Sequence, residues 1–485
     1  MLRNPNNRRP RSSYLEATGR PHWHTDDGPD HRVGTLGPAI PLNIRKMAFT
    51  ALISFGAVIG AAQTARAQMV IEPSLLNDAR TNPVVPSPGQ VIVRLGGHVN
   101  WYAVAVQDSG DKTPGFKQAP YTFGTYLRLN PSVDGVAANG LKYGVFVDLW
   151  QDRPSAPGGG TGGSISAADR VRGNIYVRRE WAYLGTDQLG TIRVGTGDPV
   201  GGLYQTGTFE NFNDGAWNGD VPNEVSSNAL PVWPFDLVGN LYTPTKITYL
   251  SPQFHGFEFG ATYEPNTGNV DDFDGDCPAA STGCDRLSSS SDPADLGRRK
   301  DMLNIEMRYR GTFGPVGLAT ELGWFGSGHV GNDGVPIAQT VKYSGFNQGV
   351  LGVAVTYSGL TVGGHMMYGR FNNQWGLAPA NGPNAFAWLA GASYTFGPLI
   401  VGASFYQYNF AGNSFQLLGP NIGMERDRGI ALGGTYSLTP GVSLLFSALY
   451  GDRKENGFDF INQVAGPNNN VVTAKLISIG TQIRW

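Results

Sequence analysis

The chain has 485 residues, of which 68 are glycine, and its formal net charge is −2. Aromatic residues make up 11% of it and charged residues 15%, so strong helix formers are few and turns are frequent. The chain is too long for a single β-sandwich, and the composition predicts an all-β protein. It lacks the basic excess of a nucleic-acid-binding protein, so we expect no nucleic acid partner.

An export signal is predicted near the N-terminus. Arg45 and Lys46 precede an apolar stretch from Met47 to Ala62, and residues 65–67 have the small-x-small pattern of a cleavage site. We therefore expect Gln68 to be the mature N-terminus. An N-terminal membrane anchor is the alternative, but the apolar stretch is short for a helix that crosses a bilayer.

This signal sets the predicted domain organisation. Residues 1–67 would be an N-terminal extension and signal peptide that are removed, residues 68–90 a periplasmic N-terminal tail, and residues 91–485 the membrane domain. The removed part carries more basic than acidic residues, so the mature chain is more acidic than the whole chain. After Ala62 no apolar stretch of about 18 residues follows, so insertion into a membrane must use β-strands.

Sixteen segments between Val91 and Trp485 have strand character. The first of them has one apolar and one polar face, as a strand between lipid and water requires. The apolar face has Val91, Val93, Leu95, Val99, Trp101 and Ala103, and the polar face has Arg94, His98, Asn100 and Tyr102. Most segments are about ten residues long, which suffices to cross a bilayer at a tilt.

The connections between these segments alternate between short and long. Seven short connections are rich in Gly and Pro, as tight turns require. The long ones fall at about residues 107–119, 153–169, 198–238, 265–301, 326–348, 371–383, 410–426 and 453–471. This arrangement predicts a transmembrane 16-stranded antiparallel β-barrel in a bacterial outer membrane, with both termini in the periplasm. A soluble β-propeller is disfavoured because no four-strand repeat is visible.

Aromatic residues near the strand ends are expected to form the girdles of a membrane barrel. Most of them fall on the apolar face, although aromatic residues in the core of a soluble protein remain the alternative. They are Tyr143, Trp181, Tyr183, Tyr249, Tyr263, Tyr309, Trp324, Tyr357, Tyr394, Tyr436 and Tyr450.

The third long loop, from Asp198 to Asp236, has an unusual composition. It contains neither Lys nor Arg, and it carries more aromatic residues than a solvated outer loop would. We expect it to fold into the barrel, with its rings on the wall and its carboxylates facing the water. Solvated charges on a surface loop are the alternative. Its acidic residues are Asp198, Glu210, Asp214, Asp220, Glu224 and Asp236.

Basic residues lie on the polar faces of the first five strands. Acids on one side of a narrow lumen and bases on the other would produce a transverse field, which orients dipolar solutes and disfavours apolar ones. The predicted basic wall residues are Arg94, Arg128, Lys142, Arg178 and Arg193.

The fourth long loop contains the two cysteines, Cys277 and Cys284, which suggest a small loop disulfide in an exported protein. The same loop has a run of acids from Asp271 to Asp276 with the carboxylate density of a calcium loop. It lacks the glycine and the final glutamate of an EF-hand, so we predict no metal site, and weak calcium binding by this loop is the alternative.

The last nine residues, from Ile477 to Trp485, alternate clearly between apolar and polar side chains. Ile477, Ile479 and Ile483 share a face with the terminal tryptophan, which would lie at the membrane interface. We expect this strand to be the signature that the barrel assembly machinery recognises before insertion.

Three stretches resemble the general diffusion porins of Gram-negative outer membranes, of the α-proteobacterial type. The first reads REWAYLGTDQLGTIRVG, the second runs from Arg193 to Pro222 into the third loop and contains RVGTGDPVGGLY and FENFNDGAWNGDVP, and the third, after the loop, reads TKITYLSPQFHGFEFGATYEP. The likeness covers nearly all of the chain from Val91 to Trp485, although the middle strands match in pattern only.

This resemblance implies a homotrimer of barrels, each with a pore that the third loop narrows. By position, the constriction acids of the family correspond to Asp198, Glu210, Asp214, Asp220 and Glu224, and its arginine ladder to Arg94, Arg128, Arg178 and Arg193. We therefore expect a passive pore for small polar solutes, surrounded by outer-membrane lipid and lipopolysaccharide, with no cofactor. The acids of the third loop and the acidic mature chain, partly offset by the arginines, predict a mild preference for cations.

Two alternatives stay open at this stage. A sugar-selective channel would line its path with aromatic residues, for which Tyr102, Tyr126, Trp150 and Tyr406 are candidates. An enzymatic barrel is disfavoured, because the inward histidines, His98 and His365, and the serines Ser404 and Ser478 belong to no recognisable catalytic motif.

Overall fold

A computed structural model of the chain describes residues 86–115, 117–151, 175–235, 244–266, 299–329, 343–374, 376–413 and 422–485. Sixteen strands form one closed barrel, in which each strand pairs antiparallel with the next along the chain and β20 pairs with β1. They are β1 Gln90–Asp108, β2 Tyr121–Val136, β3 Lys142–Gln151, β4 Ile175–Thr186, β5 Gly190–Thr196, β6 Thr245–Leu250, β7 Phe257–Asn266, β8 Arg299–Phe313, β9 Val316–His329, β11 Asn347–Tyr357, β12 Leu360–Arg370, β14 Ala385–Phe396, β15 Leu399–Phe410, β16 Glu425–Thr439, β17 Val442–Glu455 and β20 Val471–Arg484.

Two short hairpins accompany the barrel. The strand β10, Tyr343–Ser344, pairs with β13, Ala378–Pro379, and the strand β18, Phe458–Asp459, pairs with β19, Val464–Ala465. The predicted all-β, 16-stranded fold is confirmed, and the barrel begins at Gln90, one residue before the predicted boundary. No helix in the part of the chain that the structure describes is long and apolar enough to cross a membrane.

The predicted split between apolar and polar faces is present in the first strand. Val93 on the outer face is 76% exposed, whereas Tyr102 on the inner face is 1% exposed. The last strand shows the same alternation, because Ile477 and Ile479 are exposed and Ser478 between them is buried. The outer surface is therefore apolar and the inner surface polar, as in a strand wall with lipid outside and water inside.

Eight long loops and seven short turns connect the strands, as predicted. The turn between β11 and β12 shows why the short connections hold their register. Ser358 and Gly359 both have positive φ, 47° and 87°, which is the type I′ geometry that matches the twist of a two-residue hairpin. The long loops all lie at one end of the barrel, which is the extracellular end in an outer-membrane protein.

The aromatic girdle contains most of the predicted residues, but two of them face inward. Exposed aromatic side chains on the outer wall include Tyr249, Trp324 and Tyr394. Trp181 instead stacks on the inward Phe146, with ring centroids 5.3 Å apart, and Tyr183 donates a hydrogen bond to Asp134 inside the barrel. The apolar character of these two rings misled the prediction, because strand β4 carries rings on its inner face.

Closure of the barrel predicts resistance to heat and detergent. Every strand of the wall pairs with a neighbour on both sides, so no strand forms an open edge of the sheet. An unboiled sample in dodecyl sulfate should keep its folded form on a gel, and boiling should shift it to the position of the unfolded chain. Identical migration before and after boiling would contradict a closed barrel.

Candidate functional site

The third loop connects β5 to β6 and lies against the inner wall of the barrel. It contains one helical turn, Val200–Tyr204, and two 3-10 turns, Ala216–Asn218 and Val221–Glu224. All five of its predicted anchoring rings are buried, and they join one apolar cluster with inward wall residues such as Leu389 and Tyr406. The rings are Phe209, Phe212, Trp217, Trp233 and Phe235. The predicted inward fold of the loop is therefore confirmed.

Inward glycines of the wall make room for this loop. A Cβ at Gly391 of β14 would lie 2.5 Å from the Phe209 ring, and a Cβ at Gly402 of β15 would lie 2.5 Å from the Phe212 ring. Real Cβ atoms do not approach that closely, so only glycine fits beneath these rings. Five more glycines of the wall would meet the third loop at short range in the same way, namely Gly260, Gly352, Gly429, Gly433 and Gly451.

Polar side chains from the wall hold the first half of the loop through its backbone. The amide of Val200 donates to the Thr262 hydroxyl at 2.8 Å, and that of Gly201 donates to the Asn304 side chain at 2.7 Å. Glu321 accepts a hydrogen bond from the Thr206 amide at 2.7 Å. The sequence does not mark these three side chains as functional, because an inward polar residue alone does not indicate which loop it will bind.

The second half of the loop is held by two other extracellular loops. Asp108, at the end of β1, accepts hydrogen bonds from the Ser226 amide at 2.9 Å and from its hydroxyl at 2.8 Å. Asn228 donates to the carbonyl oxygen of Ile461 in the last long loop at 3.4 Å. The described part of the loop is thus fixed in both of its halves and along its apolar side.

Three of the five predicted constriction acids are buried and serve to hold the loop. Asp198 accepts a hydrogen bond from Arg179 at 3.0 Å, and Glu210 accepts one from Asn218 at 2.8 Å. Asp214 accepts hydrogen bonds from the amides of Asp220 at 2.8 Å and Val221 at 3.1 Å. It also accepts one from the Tyr102 hydroxyl of β1.

This burial changes what these acids contribute to the lumen. Burial raises the pKa of the Asp214 carboxyl, and the neighbouring Asp220 carboxylate raises it further. Asp214 therefore contributes less negative charge than the sequence predicts. Among the described acids of the loop, Asp220 and Glu224 are only partly buried, so these two face water. The side chain of Asp220 lies 3.4 Å from that of Asn100 on the β1 wall.

Two of the predicted basic residues form one cluster with an acid and an aromatic ring. The guanidinium groups of Arg128 and Arg178 lie on the Trp150 ring, 3.8 Å and 3.6 Å from its centroid. Asp148 lies within ion-pair distance of both, at 3.9 Å and 3.6 Å. Asn100, the neighbour of Asp220, is paired across β1 and β2 with Tyr126, two residues from Arg128. The acid of the loop and the basic cluster of the wall therefore lie on the same side of the lumen.

The other three predicted basic residues lie nearer the periplasmic end. Arg94 forms an ion pair with Asp134, and Lys142 forms one with Asp187 in a periplasmic turn. Arg193 covers the Trp181 ring at 3.5 Å. The predicted ladder is therefore divided, with Arg128 and Arg178 at the level of the third loop.

Arg179 is a basic residue of the site that strict alternation would place on the outer face. It lies 3.0 Å from Asp148 and 3.0 Å from Asp198, so it joins the wall to the root of the third loop. The pairing of β3 with β4 shifts register between Asp148 and Leu149. This bulge brings Arg179 to the inner side next to Arg178.

The four aromatic candidates for a sugar path have other contacts. Tyr102 donates a hydrogen bond to Asp214, and Tyr406 packs against Trp233 with ring centroids 4.9 Å apart. Trp150 has an arginine on each of its faces, and Tyr126 meets its edge with centroids 5.3 Å apart. These rings support the loop and the basic cluster, and they do not line up as successive platforms for a sugar.

Some predictions lie outside the described residues. They concern the disulfide between Cys277 and Cys284, the acidic run from Asp271 to Asp276, and Asp236. Within the described residues, no group of three or more His, Cys, Asp or Glu side chains is arranged to hold a metal ion.

The chain is similar to known proteins of one family. The family model described as Gram-negative porin matches residues 48–456. No curated protein matches the chain. Similar solved structures include an anion-selective porin from Comamonas acidovorans, which is 15% identical over 82% of this chain and 100% of that chain, with a TM-score of 0.47.

Two further structures have comparable coverage. A mutant of the Rh. blastica porin is 13% identical over 81% of this chain and 100% of that chain, with a TM-score of 0.41. The trimer form of OmpT, an outer membrane protein of Vibrio cholerae, is 12% identical over 81% and 99%, with a TM-score of 0.45. Because the family model covers most of its length, the chain belongs to the Gram-negative porin family and is a channel protein of the bacterial outer membrane.

Proposed function

We propose that this porin is a passive, water-filled pore for small hydrophilic solutes, with no cofactor and no energy coupling. The observation that carries the proposal is the third loop, which lies inside a closed barrel and leaves Asp220 and Glu224 facing water. A loop fixed in this position narrows the lumen permanently. The loop does not have to move for the pore to conduct. Solutes would then be selected by size and polarity.

Planar-bilayer recording of the purified protein tests this proposal. We expect stepwise insertion with a conductance that is linear in voltage and proportional to salt concentration, because the pore is filled with water. Protein that inserts and never conducts would contradict the pore and would favour a structural or enzymatic barrel.

We propose a mild preference for cations, because the water-facing acids of the loop raise the local concentration of counter-ions over about 8 Å at physiological salt. Replacing Asp220 with Asn and Glu224 with Gln should shift the reversal potential in a tenfold salt gradient toward anions, by on the order of 5 mV. Asp214 is left unchanged because its carboxyl holds the loop.

The matched control is Asp187→Asn with Asp301→Asn, in a periplasmic turn and on the exposed side of β8, where the Asp301 carboxylate accepts a hydrogen bond from Tyr263 at 2.9 Å. It removes the same number of charges away from the third loop, so the reversal potential should stay at the value of the unmodified protein. Equal reversal potentials for the third-loop variant and the control would mean that Asp220 and Glu224 do not act on the permeating ions.

We also propose that the pore assembles as a homotrimer. The support is the resemblance to trimeric porins and a strongly exposed apolar patch on the outer wall, where Val93 is 76% and Leu95 is 65% exposed. Unboiled protein should migrate at three times the mass of the chain, and conductance should rise in groups of three steps.

No catalytic activity is part of this proposal. A hydrolytic barrel would need a nucleophile and a base within reach of each other. His98 packs beside the Tyr126 ring, with centroids 6.4 Å apart, and His365 lies under the third loop with its Nδ1 2.9 Å from the Thr206 carbonyl oxygen. Both imidazoles have structural contacts, which supports a channel without turnover chemistry.

A further inference from the structure

Charged residues lie on the inner face of the barrel at the extracellular end of β16 and β17. Asp427 of β16 is paired across the strands with Arg453 of β17, and Glu425 is paired with Glu455. The three acidic side chains are buried. Carboxylates in such a place are stable only where cations or hydrogen-bond donors contact them. The contacts of these side chains therefore show what the cluster holds in place.

Arg453 is the cation at the centre of this cluster. Its guanidinium donates hydrogen bonds to Glu425 Oε1 at 2.9 Å and 2.8 Å, and it lies 3.4 Å from the Asp427 carboxylate. It also lies over the Phe460 ring of the last long loop, 4.7 Å from the ring centroid. Because a guanidinium is planar and its donors form a fixed fork, these contacts hold it in one orientation.

Asp427 and Arg453 also hold the third loop where it returns toward β6. Asp427 accepts a hydrogen bond from the Val232 amide at 2.6 Å, and Arg453 donates one to the Ser227 carbonyl oxygen at 3.3 Å. Ser227 follows the water-facing Glu224 by only three residues. Asp427 and Arg453, here called the return clamp, therefore attach the loop directly after its water-facing acids.

The return clamp complements the anchor that Asp108 provides on β1. Asp108 holds Ser226, and β20 lies between β1 and β17 in the closed barrel. One anchor alone would let the loop pivot about a single point, whereas anchors on different strands fix its direction. The clamp itself is largely shielded from the lumen, since Asp427 is 0% exposed and the Arg453 side chain is 13% exposed.

We propose that Asp427 and Arg453 are positioning residues of the pore, which determine where Asp220 and Glu224 lie in the lumen. They act on ion selectivity through the loop and do not contact the permeating ions. This role rests on the proposed passive pore. It adds residues of β16 and β17 to the acids of the third loop as determinants of selectivity.

Planar-bilayer recording of Asp427 variants in a salt gradient tests the clamp. Asp427→Ala removes the acceptor of the Val232 amide, whereas Asp427→Asn keeps an oxygen for it. Arg453 retains Glu425 as its partner in both variants, so both should fold. The alanine variant should lose roughly half of the reversal potential of the unmodified protein, and its open-channel noise should rise at least about twofold, because one anchor of the loop is released. The asparagine variant should keep both values near those of the unmodified protein.

Arg453→Lys is a second and independent test. Lysine keeps the positive charge that the buried acids need, so this variant should also keep its folded band on a gel. Its single ammonium cannot hold Glu425 and the Ser227 carbonyl together as the guanidinium does. We therefore expect the reversal potential to fall by about a third.

Glu455 provides the matched control, because it is buried beside the clamp and holds a different loop. It accepts hydrogen bonds from the amide and the side chain of Asn413, at 2.9 Å and 2.6 Å, in the loop between β15 and β16. Glu455→Ala should lower the resistance to heat as Asp427→Ala does. It should leave the reversal potential and the noise unchanged, since the third loop keeps both of its anchors.

Three results would overturn the role of the clamp. They are an unchanged reversal potential in both Asp427→Ala and Arg453→Lys, identical behaviour of the alanine and asparagine variants, and an equal shift in the Glu455→Ala control. Unmodified protein that inserts and never conducts would instead contradict the pore itself, before any variant is compared.

Discussion

Deletion of Trp485 is expected to leave most of the protein in the periplasm, with outer-membrane levels reduced by roughly tenfold or more, because the chain loses its terminal aromatic ring and the two backbone hydrogen bonds at the end of the closing strand. The backbone of Trp485 exchanges two hydrogen bonds with Gly97 of β1, at 3.1 Å and 3.3 Å. These bonds extend the ladder between β20 and β1, which otherwise runs from His98 with Arg484 to Asp108 with Ala474. Fractionation of membranes and periplasm measures the effect.

Gly97 of β1 leaves room for the indole of Trp485. A Cβ at Gly97 would lie 2.8 Å from the indole ring, so the glycine is needed where the terminal side chain crosses β1. The ring remains 54% exposed on the outer surface, where an aromatic residue suits the membrane interface. Before insertion, the same ring and the isoleucines beside it would form the apolar signature that the barrel assembly machinery recognises.

Two controls separate these contributions. Trp485→Phe keeps both the backbone bonds and an aromatic ring, so its surface level should stay near that of the unmodified protein. Gly97→Val keeps the chain end and displaces the ring, so the assembled protein should lose part of its resistance to heat. Normal surface levels of the deletion variant would refute a role of Trp485 in assembly.

The strands and their connections could be predicted because each strand of a membrane barrel has lipid on one face and water on the other. In β1 the alternation from Val91 to Tyr102 is nearly complete, and the structure confirms both faces. The third loop could be predicted to fold inward for a related reason. Rings such as Phe209 and Phe212 have no stable place in water, and the inner wall is the apolar surface within reach.

Features that depend on register or on contacts distant in sequence could not be predicted. The bulge at Asp148 changes which side of β4 carries Arg179, and no pattern in the sequence marks it. The sequence also does not distinguish the roles of the acids in the third loop. Asp214 and Asp220 look alike in sequence, but one carboxyl is buried by the loop backbone and the other reaches the wall at Asn100.

The inward glycines are a signal in the sequence for the position of the third loop. Small inward residues recur on the strands opposite the loop, and the structure shows that Gly391 and Gly402 lie under its rings. A glycine that faces only water in the lumen has no evident structural role. Beneath a buried ring it decides how close the loop can lie to the wall, and therefore how wide the pore is.

Substitution Gly402→Leu is therefore expected to narrow the pore. The new side chain would occupy the space of the Phe212 ring, and overpacking of this kind costs about 1–3 kcal/mol. The wall is held by hydrogen bonds on both sides of β15, whereas the loop near Phe212 is held by packing and by a 3.3 Å hydrogen bond from Thr435. The loop should give way toward the pore axis, and single-channel conductance should fall by about a third or more.

A compensating variant makes the test specific. Phe212→Ala alone removes a buried ring at a cost of about 3–5 kcal/mol and should loosen the loop, which would make the conductance noisy. Combined with Gly402→Leu, it leaves a space that the leucine can fill, so the double variant should conduct more like the unmodified protein than either single variant does. Gly349→Leu is the matched control, because Gly349 lies on the outer face of β11 with no atom nearer than 4.0 Å to an added Cβ. It should leave the conductance unchanged. A Gly402→Leu pore that conducts normally would mean that the loop is not seated on the glycines of the wall, and the width of the pore would then have to be set elsewhere.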